Sequence, residues 1–143
     1  MIDINKNIIR RVLEEGANRH NMAVIHELYP NVVYHTPMVG ELRGEAYRKF
    51  WASTLNAFPD AHWTIDDQIA EGDKVMTRWS CVGTHKERFM DIAATGKKVR
   101  LSGICIDHIV DGKIVEEWEE FDTLGMMRQL GVVPEKIEEP VAA

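Results

Sequence analysis

The chain has 143 residues, of which 45% are hydrophobic and 28% charged, and a net charge of −6. That balance suits one soluble globular domain. It carries no Lys/Arg cluster to build a nucleic-acid surface and no apolar run of membrane-spanning length. Met1 is not followed by a basic region and an apolar stretch, so the expected location is the cytoplasm. Cys81 and Cys105 stand alone inside apolar runs, without a CxxC and without His at metal spacing. They read as two reduced core cysteines, with no metal site.

Residues 5–20 place Ile8, Ile9, Val12, Leu13 and Ala17 at helical spacing. A second short helix starts at Asn21, a capping residue, and stops before Pro30. Residues 31–36 form a β-rich run closed by Pro37, followed by a loop with Gly40 and Gly44. Residues 45–57 read as a helix that turns Tyr47, Phe50, Trp51 and Leu55 inward, and Pro59-Asp60 marks the turn after it. From Ala61 the period changes to two. Strands are expected from Ala61 to the Gly72-Asp73 turn, then over 75–84, 99–110 and 114–122, with a loop over 88–96. Asp122 or Thr123 caps a last short helix that Gly131 ends. Residues 1–134 form one domain, and 135–143 carry little core material and read as a flexible tail. Helices first and then a run of strands is an α+β pattern. One antiparallel sheet of four or more strands, curved around the N-terminal helices, would enclose a pocket.

The stretch DHIVDGKIVEEWEEFD, residues 107–122, joins the last two strands at Asp111-Gly112. A two-residue Asp-Gly loop would pair Val110 with Lys113 and set His108 and Asp122 on opposite faces. A three-residue loop, 110–112, with a bulge would put them on the same face. The second register gathers Ile104, Ile106, Val110, Ile114 and Trp118 beside His108 and Asp122, and is the expected one. Those two side chains would then project into an apolar wall. The residues alone leave plainer roles open. Asp122 directly precedes a helix and would cap it. A lone His on an apolar strand face is commonly a hydrogen-bonded core residue.

The pieces VVYHTP (32–37), AFPD (57–60), AEGDKV (70–75), GTH (83–85), TGKKV (95–99), DGKIVEEWEEFD (111–122) and LGMMRQLG (124–131) follow one another in a specific order. In that order the chain resembles the SnoaL-like polyketide cyclases of the NTF2-like superfamily, over residues 5–134. The resemblance implies a cone-shaped fold, a strongly bent antiparallel sheet with helices across its mouth. It implies ring closure by intramolecular aldol condensation without a cofactor, on an apolar small-molecule substrate. It assigns Asp122 as the acid/base group and His108, fourteen residues upstream, as its partner on the preceding strand. A desolvated carboxylate gains basicity, and general acid–base help of this sort is worth ~10² to 10⁴-fold. Trp118 and Ile106 would supply the apolar surround. His35, His85, Trp79, Phe50 and Trp51 are further pocket candidates, each with core packing or a surface position as its plainer role.

Two other readings compete. Another enzyme on the same fold is one: an isomerase would want a carboxylate where His35-Thr36-Pro37 stands, and a hydrolase would want an Asp-Arg-Asp cluster, of which Arg78 and Asp122 supply part. A non-catalytic binding or dimerisation module is the other. A homodimer is expected in either case, through an exposed sheet face to which Cys105, Ile109, Val115 and Phe121 would contribute.

Overall fold

The computed structural model describes residues 2–134; the expected tail, 135–143, lies outside them. Helix α1 (Ile2–Arg10) continues without a break into a π-helical segment, Arg11–Ala17. Ile8, Ile9, Val12, Leu13 and Ala17 are buried, as their spacing predicts. At Gly16 the segment comes very close to α2 (Met22–Leu28): a Cβ there would lie 2.7 Å from Ile25 Cδ1. Asn21 caps α2, its side chain accepting from Ala23 N at 3.2 Å. Asn18 clamps the end of this layer to the sheet. Its amide donates to Trp63 O at 2.9 Å, and its Oδ1 accepts from Trp63 N at 2.7 Å.

Six strands form one mixed sheet in the order β2-β1-β6-β5-β4-β3. They are β1 (Val33–Thr36), β2 (Gly40–Arg43), β3 (His62–Glu71), β4 (Lys74–Thr84), β5 (Lys98–Val110) and β6 (Lys113–Phe121). The expected loop after Pro37 thus contains a strand, because Gly40 at φ 76° lets the chain fold back onto β1. The β1–β2 hairpin joins the sheet by a parallel pairing of β1 with β6, so the sheet is not antiparallel throughout. Helix α3 (Glu45–Ala57) buries Tyr47, Leu55 and Ala57. Helix α4 (Thr123–Leu130) buries Met126 and Leu130 and ends at left-handed Gly131, φ 82°. The α+β class is as expected.

The turn between β5 and β6 corrects the sequence reading. Asp111 and Gly112 both have positive φ, 50° and 75°, and Val110 pairs with Lys113. The loop is therefore the two-residue kind. The parity shift comes one step later, where the register slips between His108 and Ile109 and leaves Val115 without an opposite residue. Beyond this bulge Asp107 faces Glu117 and Cys105 faces Glu119. A second bulge interrupts the β3–β4 ladder between Ile65 and Asp67.

Which face is inward also differs from expectation. Ile114 is buried as expected, but so are Cys105, Asp107, Ile109 and Glu117, whereas Ile104, Ile106, Val110 and Trp118 are 46%, 42%, 42% and 38% exposed. The apolar count favoured the even-numbered face of β5; the core lies under the odd-numbered one.

Candidate active site

Under the inward face lies an apolar cavity of about 100 Å³. Its walls come from the N-terminal helix (Ile9, Val12, Leu13), α3 (Tyr47, Phe50, Trp51), the 88–96 loop (Phe89) and the strands. Its floor is formed by Cys105 on β5 and by Glu117 and Glu119 on β6, with Asp107 beside Glu117 in the ladder and behind the lining. Both glutamates line the cavity.

The two glutamates have hydrogen-bond donors from other elements, and Asp107 has one from its own strand. Tyr34, the parallel partner of Glu117 on β1, reaches along the face, and its hydroxyl donates to Glu119 Oε1 at 2.6 Å. Trp79 on β4 donates from Nε1 to Glu119 Oε2 at 3.1 Å. Tyr47 on α3 donates to Glu117 Oε1 at 2.5 Å, and its ring stacks on that of Tyr34 with centroids 4.1 Å apart. Cys105 Sγ donates to Asp107 Oδ2 at 3.4 Å. Trp79 can lie across β5 because its opposite residue is Gly103, where a Cβ would sit 2.5 Å from indole Cζ2.

No Lys, Arg or His among the described residues forms an ion pair with Asp107, Glu117 or Glu119. Burial then works against every charge on the floor. It pushes the Glu119 carboxyl up to about 8, with neighbouring Glu117 adding to the effect and the Tyr34 and Trp79 bonds opposing it. Asp107, wholly buried, rises to about 7. Glu117 stands well above the usual carboxylate range, through burial first and then the charge of Asp107 beside it. A buried ion without a partner costs several kcal/mol, so a proton between Asp107 and Glu117 is the cheaper arrangement.

The sequence candidates divide. Trp79, Phe50 and Trp51 line the cavity. His108 and Asp122 do not. His108 lies on the outer face, its Nε2 2.6 Å from Asp73 Oδ2. Asp122 is exposed and caps α4, its Oδ1 accepting from Gly125 N at 2.9 Å. His108 shares the outer face with Ile104, Ile106, Val110 and Trp118, as its register predicts, but that face points away from the cavity, and Asp122 lies past the end of β6. Trp118 and Ile106 share the outer face for the same reason. His35 stacks on Trp118 there, centroids 5.6 Å apart, and its Nε2 lies 2.7 Å from Glu116. His85 is wholly buried rather than at a rim, stacked on Phe58 with Nδ1 against Thr95. Arg78 is exposed, and its nearest acid is Asp66 at 3.9 Å.

Missed as site residues were Asp107, Glu117, Glu119, Tyr34 and Tyr47, the last of which was expected inward only as core. One signal for them was in the sequence. Strand β6 has Glu at 116, 117, 119 and 120, so either face of it carries two acids. Whichever face met the core had to bury a pair.

The fold and this floor define a conical α+β protein with an acid-lined apolar chamber. The chain belongs to the SnoaL-like polyketide cyclase family, whose model matches residues 7–130. It is 31% identical over 132 residues to aklanonic acid methyl ester cyclase DnrD of Streptomyces peucetius, covering 87% of this chain and 89% of that one. It is 33% identical over 111 residues to the cyclase of the same name, DauD, of Streptomyces sp. strain C5, covering 76% and 67%. Among solved structures it is similar to AclR, a hydroxylase candidate from Streptomyces galilaeus, at TM-score 0.83 and 26% identity over 94% of this chain and 100% of that one. It is also similar to IdmH, a polyketide cyclase candidate from Streptomyces antibioticus, at TM-score 0.76 and 29% identity over 89% and 98%.

Proposed function

We propose that this protein is a cofactor-independent cyclase that closes a ring by intramolecular aldol condensation, with Glu119 as the base. The observation that carries the reading is the Glu119 carboxyl itself. It opens onto an apolar cavity, burial raises its pKa to about 8, and two neutral donors hold its oxygens. Such a carboxylate is a strong base for its kind, and Tyr34 and Trp79 fix where it points. A proton on a carbon flanked by two carbonyls is within its reach, since the resulting enolate is delocalised over both oxygens. Glu119 thereby takes the part that the sequence resemblance gives to Asp122, three residues further on.

The substrate proposed is a carbonyl-rich, mostly apolar molecule of the polyketide type. The cavity of about 100 Å³ is smaller than the ~300–1,000 Å³ of ordinary ligand sites. A fused-ring ligand therefore displaces lining side chains. Phe89 is the best placed to yield, since it sits on the 88–96 loop and not on a strand.

The test is turnover of aklanonic acid methyl ester followed by chromatography, with Glu119→Gln beside wild type. Gln keeps the shape and the oxygen acceptor but cannot take a proton. A loss of ~10² to 10⁴-fold in kcat is expected. Equal turnover by the two proteins would remove Glu119 from the chemistry. Binding of the ester without turnover by wild type would favour a ligand-binding module.

A further inference from the structure

We infer that Glu117 is the proton donor of the reaction, delivering a proton to the substrate oxygen on which charge develops while Glu119 takes one from carbon. The inference rests on the reading of Glu119 as base. Both glutamates line the cavity on one face of β6, two residues apart, which spaces them by about 7 Å along the strand. A reacting carbon and a reacting carbonyl of one folded substrate fit between them.

Three groups hold Glu117. Tyr47 donates to Oε1 at 2.5 Å, which fixes the carboxyl plane. Asp107 faces it across the ladder, with the Asp107, Glu117 and Cys105 polar atoms all within 4.8 Å of one another. Asp107 Oδ1 is buried and has no hydrogen-bond partner among the described residues, which leaves it free to accept from a protonated Glu117. Facing Glu117 are Cys105 and Asp107 from β5, Glu119 on its own strand, Tyr34 from β1, Tyr47 from α3 and Tyr29 just after α2. None of these is a cation; the Tyr47 and Cys105 bonds favour the ionised form, and burial with the charge of Asp107 outweighs them. Two acids in one cavity with environments of different severity divide naturally into base and donor.

The proton count closes. The Glu119 carboxylate removes a proton from carbon, leaving an enolate. The enolate carbon forms the new C–C bond to the second carbonyl carbon, whose π pair moves onto oxygen. The Glu117 acid gives its proton to that oxygen, and a hydroxyl results. Glu119 is then protonated and Glu117 ionised, and transfer of one proton from the first to the second restores the start. Asp107 is a positioning residue that acts through Glu117.

The experiment uses infrared spectroscopy of whole protein carrying ¹³C-glutamate, at about pH 9, above the range where Glu119 and Asp107 lose their protons. A protonated-carboxyl C=O band that shifts with the ¹³C label is expected. It should persist in Glu119→Gln and vanish in Glu117→Gln. With aklanonic acid methyl ester, Glu117→Gln should lower kcat ~10²-fold or more with little change in KM. Asp107→Asn removes the neighbouring anion, so the alkaline fall in rate should move to lower pH. Absence of a label-sensitive band in wild type overturns the inference without needing any variant to fold. So does wild-type turnover by Glu117→Gln beside a slow Glu119→Gln, which would spare the base. The reverse pattern would overturn the base and spare the donor. A stoichiometric divalent metal whose removal abolishes turnover would overturn the inference as well, making Cys105, Asp107 and Glu117 a ligand set.

Discussion

Glu119 and Asp122 lie three residues apart and meet opposite surroundings. Glu119 faces a cavity; Asp122 faces solvent with its oxygen on a helix N-terminus. Asp122→Ala should therefore cost about 0.5–2 kcal/mol of stability, the ordinary worth of such a cap, while Asp122→Asn, which keeps the acceptor, should match wild type in both melting and turnover. A fold-normal Asn variant without activity would return the catalytic role to Asp122. For Glu119 the sign of the pH effect is fixed by its raised value. The folded chain keeps the proton up to about pH 8, whereas the unfolded chain loses it near the ordinary 4.5. Between those values the folded state binds more protons, so this group's contribution to stability falls as pH rises and levels off above about 8. Glu119→Gln removes that slope. Calorimetry should find the Tm difference between variant and wild type moving in the variant's favour from about pH 5 to 8, and a constant difference would mean that the carboxyl titrates normally. Little of this pair was legible in the sequence. Asp122 announces itself by its place before Thr123-Leu124, and the cap reading was available at once. Glu119 looks like one more exposed acid in EEWEEF, because its donors, Tyr34 and Trp79, are 85 and 40 residues away.

At the level of strands and helices most of the layout follows from local signals. Apolar periodicity placed the helices, and the Gly72-Asp73 and Asp111-Gly112 turns bounded the strands where the structure has them. The inward face of β5–β6 did not follow. Counting apolar side chains chose Ile104, Ile106 and Trp118 over Cys105, Asp107, Glu117 and Glu119, since acids are normally outside. The structure buries Asp107 and Glu117 and half-buries Glu119, because tyrosine, tryptophan and thiol donors satisfy them and burial keeps protons on them. Gly103 belongs to the same arrangement. Its missing side chain is the space into which the Trp79 indole lies, and so the reason Nε1 reaches Glu119. Gly103→Ala should push the indole aside, with a stability loss of about 1–3 kcal/mol from overpacking. It should also lower turnover more than this loss explains, because one of two donors to the base goes with the indole. Near-ultraviolet circular dichroism of the tryptophan region together with kcat tests the coupling. An unchanged indole signal with unchanged kcat would show that the close approach does not position the base.

The molecule as a whole leaves an apolar surface where the sequence reading had placed its core. The patch expected to pair copies, Cys105, Ile109, Val115 and Phe121, is not free, because Cys105 and Ile109 are buried against the helices. The opposite face of the same strands carries Ile104, Ile106, Val110 and Trp118, each 38–46% exposed among the described residues. Bulky apolar residues standing together on a sheet face are a usual mark of an interface. Polar groups border them. His35 stacks on Trp118 and bonds Glu116, and Lys74 Nζ lies 5.6 Å from the Trp118 ring centroid. An apolar centre with a polar rim is the ordinary anatomy of a protein contact, and a two-fold pairing of this face with itself is the simplest closed solution. A specific dimer needs about 800 Å² from each partner, which a face of four long strands can supply. We expect sedimentation at tens of micromolar to find twice the 16.4 kDa chain mass. Ile104→Glu with Ile106→Glu should shift the protein to monomer while leaving the chamber, on the other side of the sheet, with its Tyr34, Trp79 and Glu119 contacts. A monomeric wild type would refute the dimer. A double variant that stays dimeric would move the interface to another surface of the same molecule.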